Sequence, residues 1–159
     1  MTVTTQQTGA APAVRTRAAS LPGIRRQAFA MAVLLLVQYG LGIGVNLSVT
    51  LPRQDHGKGL GNALANGPAV VSVHIALGLA LIITALGLAI RIAATRRGGL
   101  IALAVLGLAD LTSAAINGTR FVGTGQNGDS MAMAMAWAVA MLCYLSILFI
   151  AGRDRPGRQ

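Results

Sequence analysis

The chain has 159 residues, of which 54 % are hydrophobic and 11 % charged, with a formal net charge of +9. A soluble domain carries about 25 % charged residues, so the composition excludes an ordinary soluble fold. It points to an all-α integral membrane protein, an antiparallel four-helix bundle with both termini cytoplasmic.

Residues 1–26 are rich in Thr, Ala and Gln without hydrophobic periodicity. They read as a disordered basic cytoplasmic tail. Four apolar runs follow, at about 28–51, 69–92, 99–117 and 131–151, inside a membrane domain of residues 27–152. Each meets the length of about 18 to 20 residues that a bilayer core requires. The first run exceeds a signal-peptide core and no A-x-A-like site follows it, so it reads as a retained span. Residues 153–159 form a short second cytoplasmic tail.

The basic residues sort by side. Arg15, Arg17, Arg25 and Arg26 precede the first run, Arg91, Arg96 and Arg97 lie at the second connection, and Arg153, Arg155 and Arg158 end the chain. Arg53, Lys58 and Arg120 occupy the other two loops, 52–68 and 118–130. This bias predicts a multi-pass cell-membrane protein with those two loops outside. The basic ends are expected to meet anionic lipid headgroups. Nucleic acid is excluded as a partner, because no aromatic side chains interleave with a basic patch. Cys143 is the only cysteine, so no intramolecular disulfide can form.

Small residues mark candidate helix-packing positions: Gly40 and Gly44 in the first run, Gly78 and Gly87 in the second, Gly107 in the third. Polar residues inside the spans are Gln38, Asn46, His74, Asp110 and Asn117. Such groups are costly in lipid and are candidate functional positions. With inner helix ends near residues 28, 92, 99 and 152, His74 stands about 27 Å above its inner end and Asp110 about 17 Å. That offset excludes a direct His74–Asp110 pair. It predicts an outer polar layer of His74, Asn46 and Asn117, and a mid-membrane layer of Asp110 with Gln38 and Tyr39. The third run places Gly107, Asp110, Ser113, Ala114 and Asn117 on one face, expected to turn inward. Gln38, Gly42 and Asn46 share a face of the first run, and His74, Gly78, Leu81 and Ala85 a face of the second; these too are expected to meet inside the bundle.

The stretch GVNLSVTLP…GPAVVSVHIALGLALIITAL, within residues 41–90, resembles the helix–outer loop–helix unit of haem A synthase and, more loosely, small cytochrome b-like membrane proteins. The resemblance rests on V-H-x-x-L-G-L around His74 and on the loop placement. It implies haem as a cofactor, with His74 as an axial ligand. In those families a second intramembrane histidine faces the first; here the only other histidine, His56, is in a loop. Met131, Met133 and Met135 fall at the matching depth, and Met135 is the candidate second ligand. A homodimer pairing two His74 side chains is the alternative.

No Ser-His-Asp set, CxxC, HExxH or paired carboxylates occur at useful positions, so the chain offers no candidates for hydrolysis. The leading expectation is an accessory or interaction component of a membrane complex rather than an enzyme. The alternatives are a haem-binding or quinone-linked redox protein using His74, and a proton-coupled small transporter using Asp110.

Overall fold

The computed structural model describes residues 21–48, 61, 64–65 and 67–153. Residues 1–20, the expected end of the first span at 49–51, most of loop 52–68 and residues 154–159 lie outside it, and so do the expectations for them. The fold is all-α: α1 (Leu21–Ser48), α2 (Ala69–Ala93), α3 (Gly98–Thr124) and α4 (Asn127–Arg153), with no strand among the described residues. All four are long and apolar enough to cross a membrane. They pack as a ring in which α1 touches α2 and α4, and α3 touches α2 and α4.

The core shows why they pack this way. Its buried residues are Ile24, Ala28, Met31 and Leu35 in α1, then Leu81, Ala85, Leu88 and Ile92 in α2. In α3 they are Leu100, Ala104, Gly107 and Leu111, and in α4 Ala140, Tyr144, Ile147 and Ala151. All four sets repeat the same four-three-four spacing. That is the heptad seam of a left-handed bundle, in which side chains interdigitate at a shallow crossing angle. These seams lie in the half of the bundle that carries Arg25, Arg91, Arg97 and Arg153. In the opposite half the buried residues thin out to Val71, Asp129 and Ala136. The outward faces are apolar as well, with Phe29, Leu36, Ile83, Ile90, Leu142 and Phe149 each more than half exposed.

Three boundaries differ from the sequence reading. Residues 21–26, expected in the disordered tail, already belong to α1. Pro22 is no obstacle there, since a first-turn residue needs no N–H partner. The spans expected to end at 117 and start at 131 continue to Thr124 and from Asn127, so loop 118–130 shrinks to a tight helical hairpin. Gly125 ends α3 with φ 66°, its N–H bonded to Phe121 O at 2.8 Å. This left-handed position is where glycine carries no Cβ penalty. Asp129 then closes the hairpin: Thr124 Oγ1 donates to its Oδ2 at 2.9 Å, and Arg120 Nε lies 3.6 Å from its Oδ1. In the first turn of α4 the carboxylate also meets the positive end of the helix dipole.

Candidate functional site: two polar seams

The first seam joins α1 to α2. Gln38 Nε2 donates to the backbone O of His74 at 3.0 Å and lies 3.3 Å from the ring Nε2. Two glycines make room for this. A Cβ on Gly78 would sit 3.2 Å from Gln38 Nε2, and a Cβ on Gly42 would sit 3.2 Å from His74 Cε1. The arrangement is reciprocal. Gln38 and Gly42 lie one turn apart on α1, His74 and Gly78 one turn apart on α2, and each polar side chain rests on the facing glycine. The amide orientation follows from the backbone contact, because turning its oxygen toward His74 O would set two acceptors against each other. With both amide hydrogens directed at acceptors, Nε2 accepts and the neutral ring carries its proton on Nδ1. His74 Nδ1 and Gln38 Oε1 are buried and have no hydrogen-bond partner among the described residues.

This corrects the two-layer scheme. Gln38 pairs with His74, not with Asp110. The facing residue on α1 is Gly42, one turn below the expected Asn46, which is exposed. The cause is the start of α1: the helix already runs from Leu21, about two turns before residue 28, so the α1 residue level with His74 falls earlier in the chain than a depth scale counted from residue 28 gives. Tyr39 belongs to the α1–α4 contact, stacking on Trp137 with ring centroids 4.3 Å apart. Trp137 Nε1 donates to Leu35 O at 2.9 Å. Toward the arginine-bearing end, Arg91 Nη1 donates to Gln27 Oε1 at 2.7 Å and Gln27 Nε2 donates to Thr84 O at 3.1 Å. Gln27, Thr84 and Trp137 thus tie helices together without having been singled out as a site.

The residues around His74 do not fit a haem within one copy of the bundle. The Nε2 lone pair that would ligate iron accepts from Gln38, and the ring edge is seated on Gly42. Met135 is 60 % exposed on the outer surface of α4 and does not face His74 across the interior. Met133 is the methionine turned into the α3–α4 contact, its Sδ 3.3 Å from where a Cβ on Gly118 would stand.

The second seam lies between α3 and α4. A Cβ on Gly107 would stand 3.0 Å from Tyr144 Cζ and 3.2 Å from its hydroxyl oxygen, so the fully buried Tyr144 ring rests on α3 at the glycine. Asp110, one turn further along, is half-buried; its Oδ2 and the Tyr144 hydroxyl are shielded and have no hydrogen-bond partner among the described residues. The expected inward polar face of α3 is only partly inward. Gly107 is buried, but at about 100° per residue Asp110 lies roughly a quarter-turn from the centre of the buried stripe, and Ser113 and Asn117 lie further round. Ser113 is exposed and Asn117 half-buried. Asn117 Nδ2 donates to Ser113 O at 2.8 Å, a bond within its own helix. Asp110, Ser113 and Asn117 therefore form a polar stripe on the outward flank of α3.

Of the proposed packing glycines, Gly78 and Gly107 mark close approaches. Gly40, Gly44 and Gly87 do not: among the described residues nothing lies within 4 Å of a Cβ at any of them. Gly40 is exposed and Gly44 half-buried, on the side of α1 that carries Val33, Val37 and Leu47.

The class defined by these features is an all-α ring of four membrane-length helices with one internal polar lock and one outward polar stripe. Comparison with protein-family models, with curated proteins and with solved structures finds no match. The resemblance of residues 41–90 therefore stands on those residues alone.

Proposed function

We propose that the chain is a multi-pass protein of the cell membrane that serves as an interaction component of a larger membrane complex, with the outward flank of α3 as its docking face. The observation that carries this reading is the polar stripe Asp110–Ser113–Asn117. A carboxyl group at lipid depth is costly unless another group covers it. In α3 it lies on the flank of the buried stripe, half-buried, with Oδ2 shielded and no partner among the described residues, while the axis of the bundle is filled by Met31, Leu35, Leu81, Leu88, Tyr144 and Ile147. Among the described residues no basic side chain pairs with Asp110. A neighbouring helix bringing a donor or a cation would satisfy it. Both termini are cytoplasmic in this reading, supported by the bias of ten basic residues against three.

Extraction of a tagged chain from its native membrane tests the proposal. A stoichiometric membrane partner should co-purify with the wild type and be lost from Asp110→Asn, while Gln38→Ala retains it. A chain that leaves the membrane alone and monomeric would overturn it. The unpartnered Asp110 Oδ2 and Tyr144 hydroxyl support a second reading, a proton-coupled small transporter. That reading requires proteoliposome flux that disappears in Asp110→Asn.

A further inference from the structure

At the arginine-bearing end, α1 and α4 enclose a groove lined by Arg25, Leu145, Leu148, Phe149, Gly152 and Arg153. Its chemistry is divided along its length. The mouth carries two guanidinium groups. Arg25 lies along Gly152, with Nε 3.6 Å and Cζ 3.7 Å from where a Cβ would stand, so the missing side chain lets the arginine settle onto α4. Arg153 Cζ stands 5.4 Å from the centroid of the Phe149 ring. Below the mouth the lining is apolar. From Arg153 back to Leu145 it extends about 12 Å along α4 at 1.5 Å per residue.

We propose that this groove binds one anionic phospholipid, the phosphate held between Arg25 and Arg153 and an acyl chain laid along Leu145, Leu148 and Phe149. Charge complementarity selects the headgroup, since among the described residues two arginines and no acidic side chain line the groove. The helix termini alone do not decide it. The positive end of the α1 dipole and the negative end of the α4 dipole both lie at this end of the bundle. The two nearly offset each other, and the guanidinium groups set the sign. Guanidinium matches phosphate geometry with paired donors. The exposed apolar floor, with Phe149 at 64 % and Leu145 at 44 %, offers an acyl chain a surface that a free phosphate would not use. This differs from the general attraction of basic ends to a charged membrane surface, because it requires one lipid at one place.

Native mass spectrometry of the full chain in a neutral detergent tests the site, with dioleoylphosphatidylglycerol, dioleoylphosphatidylcholine and inorganic phosphate as separate additions. One phosphatidylglycerol should be retained per chain, at least tenfold more tightly than phosphatidylcholine. Each of Arg25→Gln and Arg153→Gln should weaken it about fivefold, the equivalent of about 1 kcal/mol. Arg120→Gln, at the far end, should leave it unchanged. Phe149→Ala should weaken both lipids together, which reads the acyl floor independently of charge. Equal retention of the two lipids overturns the proposal. So does a loss in Arg120→Gln matching that in Arg25→Gln. Displacement of phosphatidylglycerol by equimolar phosphate would make this a free-anion site and likewise overturn it.

Discussion

Replacing Gly78 with alanine should damage the α1–α2 seam only while Gln38 is present. The added Cβ would stand 3.2 Å from Gln38 Nε2, closer than ordinary van der Waals contact, and would push the amide from its place between the His74 carbonyl and ring. Hydrogen bonds between membrane helices average about 0.6 kcal/mol each. An orphaned buried acceptor at His74 Nε2 adds about 1 kcal/mol. Gln38→Ala, which removes both contacts, should therefore cost about 2 kcal/mol. Gly78→Ala, which displaces the amide without removing it, should cost about half as much, or about 1 kcal/mol by the same per-bond scale. In the Gln38→Ala background the new methyl group enters vacated space, and Gly78→Ala should cost nothing or stabilise slightly through helix propensity. The non-additivity of about 1 kcal/mol exceeds the scatter of about 0.5 kcal/mol seen for independent sites. Reversible unfolding in mixed micelles, followed by helical circular dichroism and by the single tryptophan, Trp137, measures all four variants. Nitrogen-15 chemical shifts of His74 give an independent reading, since the lock requires the neutral ring to be protonated at Nδ1. Equal cost of Gly78→Ala in both backgrounds, or a ring protonated at Nε2, would refute the lock.

Two further predictions come from backbone geometry. Gly107→Ala should destabilise by about 1 to 2 kcal/mol, because three atoms of the enclosed Tyr144 ring lie 3.0 to 3.2 Å from the new methyl group and the ring has nowhere to move. Gly44→Ala, with no described residue within 4 Å of its Cβ, should be neutral or slightly stabilising; identical micelle unfolding curves for the two would contradict the contact. Arg96 turns the chain between α2 and α3 at φ 56°, a left-handed conformation that costs a non-glycine residue about 1 kcal/mol. Arg96→Gly should therefore stabilise the isolated protein by about that amount, and an unchanged or lowered midpoint would argue against strain there.

The spans were readable because composition and run length alone identify membrane helices, but their inward faces were not. The reason is visible in α1, where Ile24, Met31 and Leu35 face the core and Phe29, Val33, Leu36 and Val37 face out. Both sets are large and apolar, so no amphipathic contrast marks which side packs. What does separate the sides is the four-three-four spacing of buried residues, a register that tolerates Ala, Gly, Leu, Ile, Met or Tyr. The glycines misled for a related reason. Gly40-xxx-Gly44 has the spacing associated with close helix approach, yet the approach occurs at Gly42, where a histidine on the facing helix needs the space. The signal in the sequence was the pairing of Gln38-xxx-Gly42 with His74-xxx-Gly78. Loop 118–130 is largely helical although Gly118, Gly123, Gly125 and Gly128 suggest a loop, because of these four only Gly125 takes a positive φ.

Each seam leaves two buried polar atoms without a partner among the described residues, and the seams differ instead in whether a polar pair bridges the helices, as Gln38 and His74 do in the first and no pair does in the second. In the first, the Gln38 amide uses both hydrogens on His74, and two glycines admit the side chains; the geometry is complete enough to hold α1 against α2 in the thinly packed half of the bundle. Removing it should cost stability. In the second, Asn117 turns to its own helix, Asp110 Oδ2 finds no donor, and Ser113 points outward. Removing the Asp110 charge should therefore leave the isolated bundle as stable as before or more so, since the amide that replaces the carboxylate carries no unpaired charge. The same substitution should weaken whatever association covers the stripe. Opposite responses of stability and association to Asp110→Asn are the signature of a docking face. Parallel losses would place Asp110 among the groups that hold the fold together.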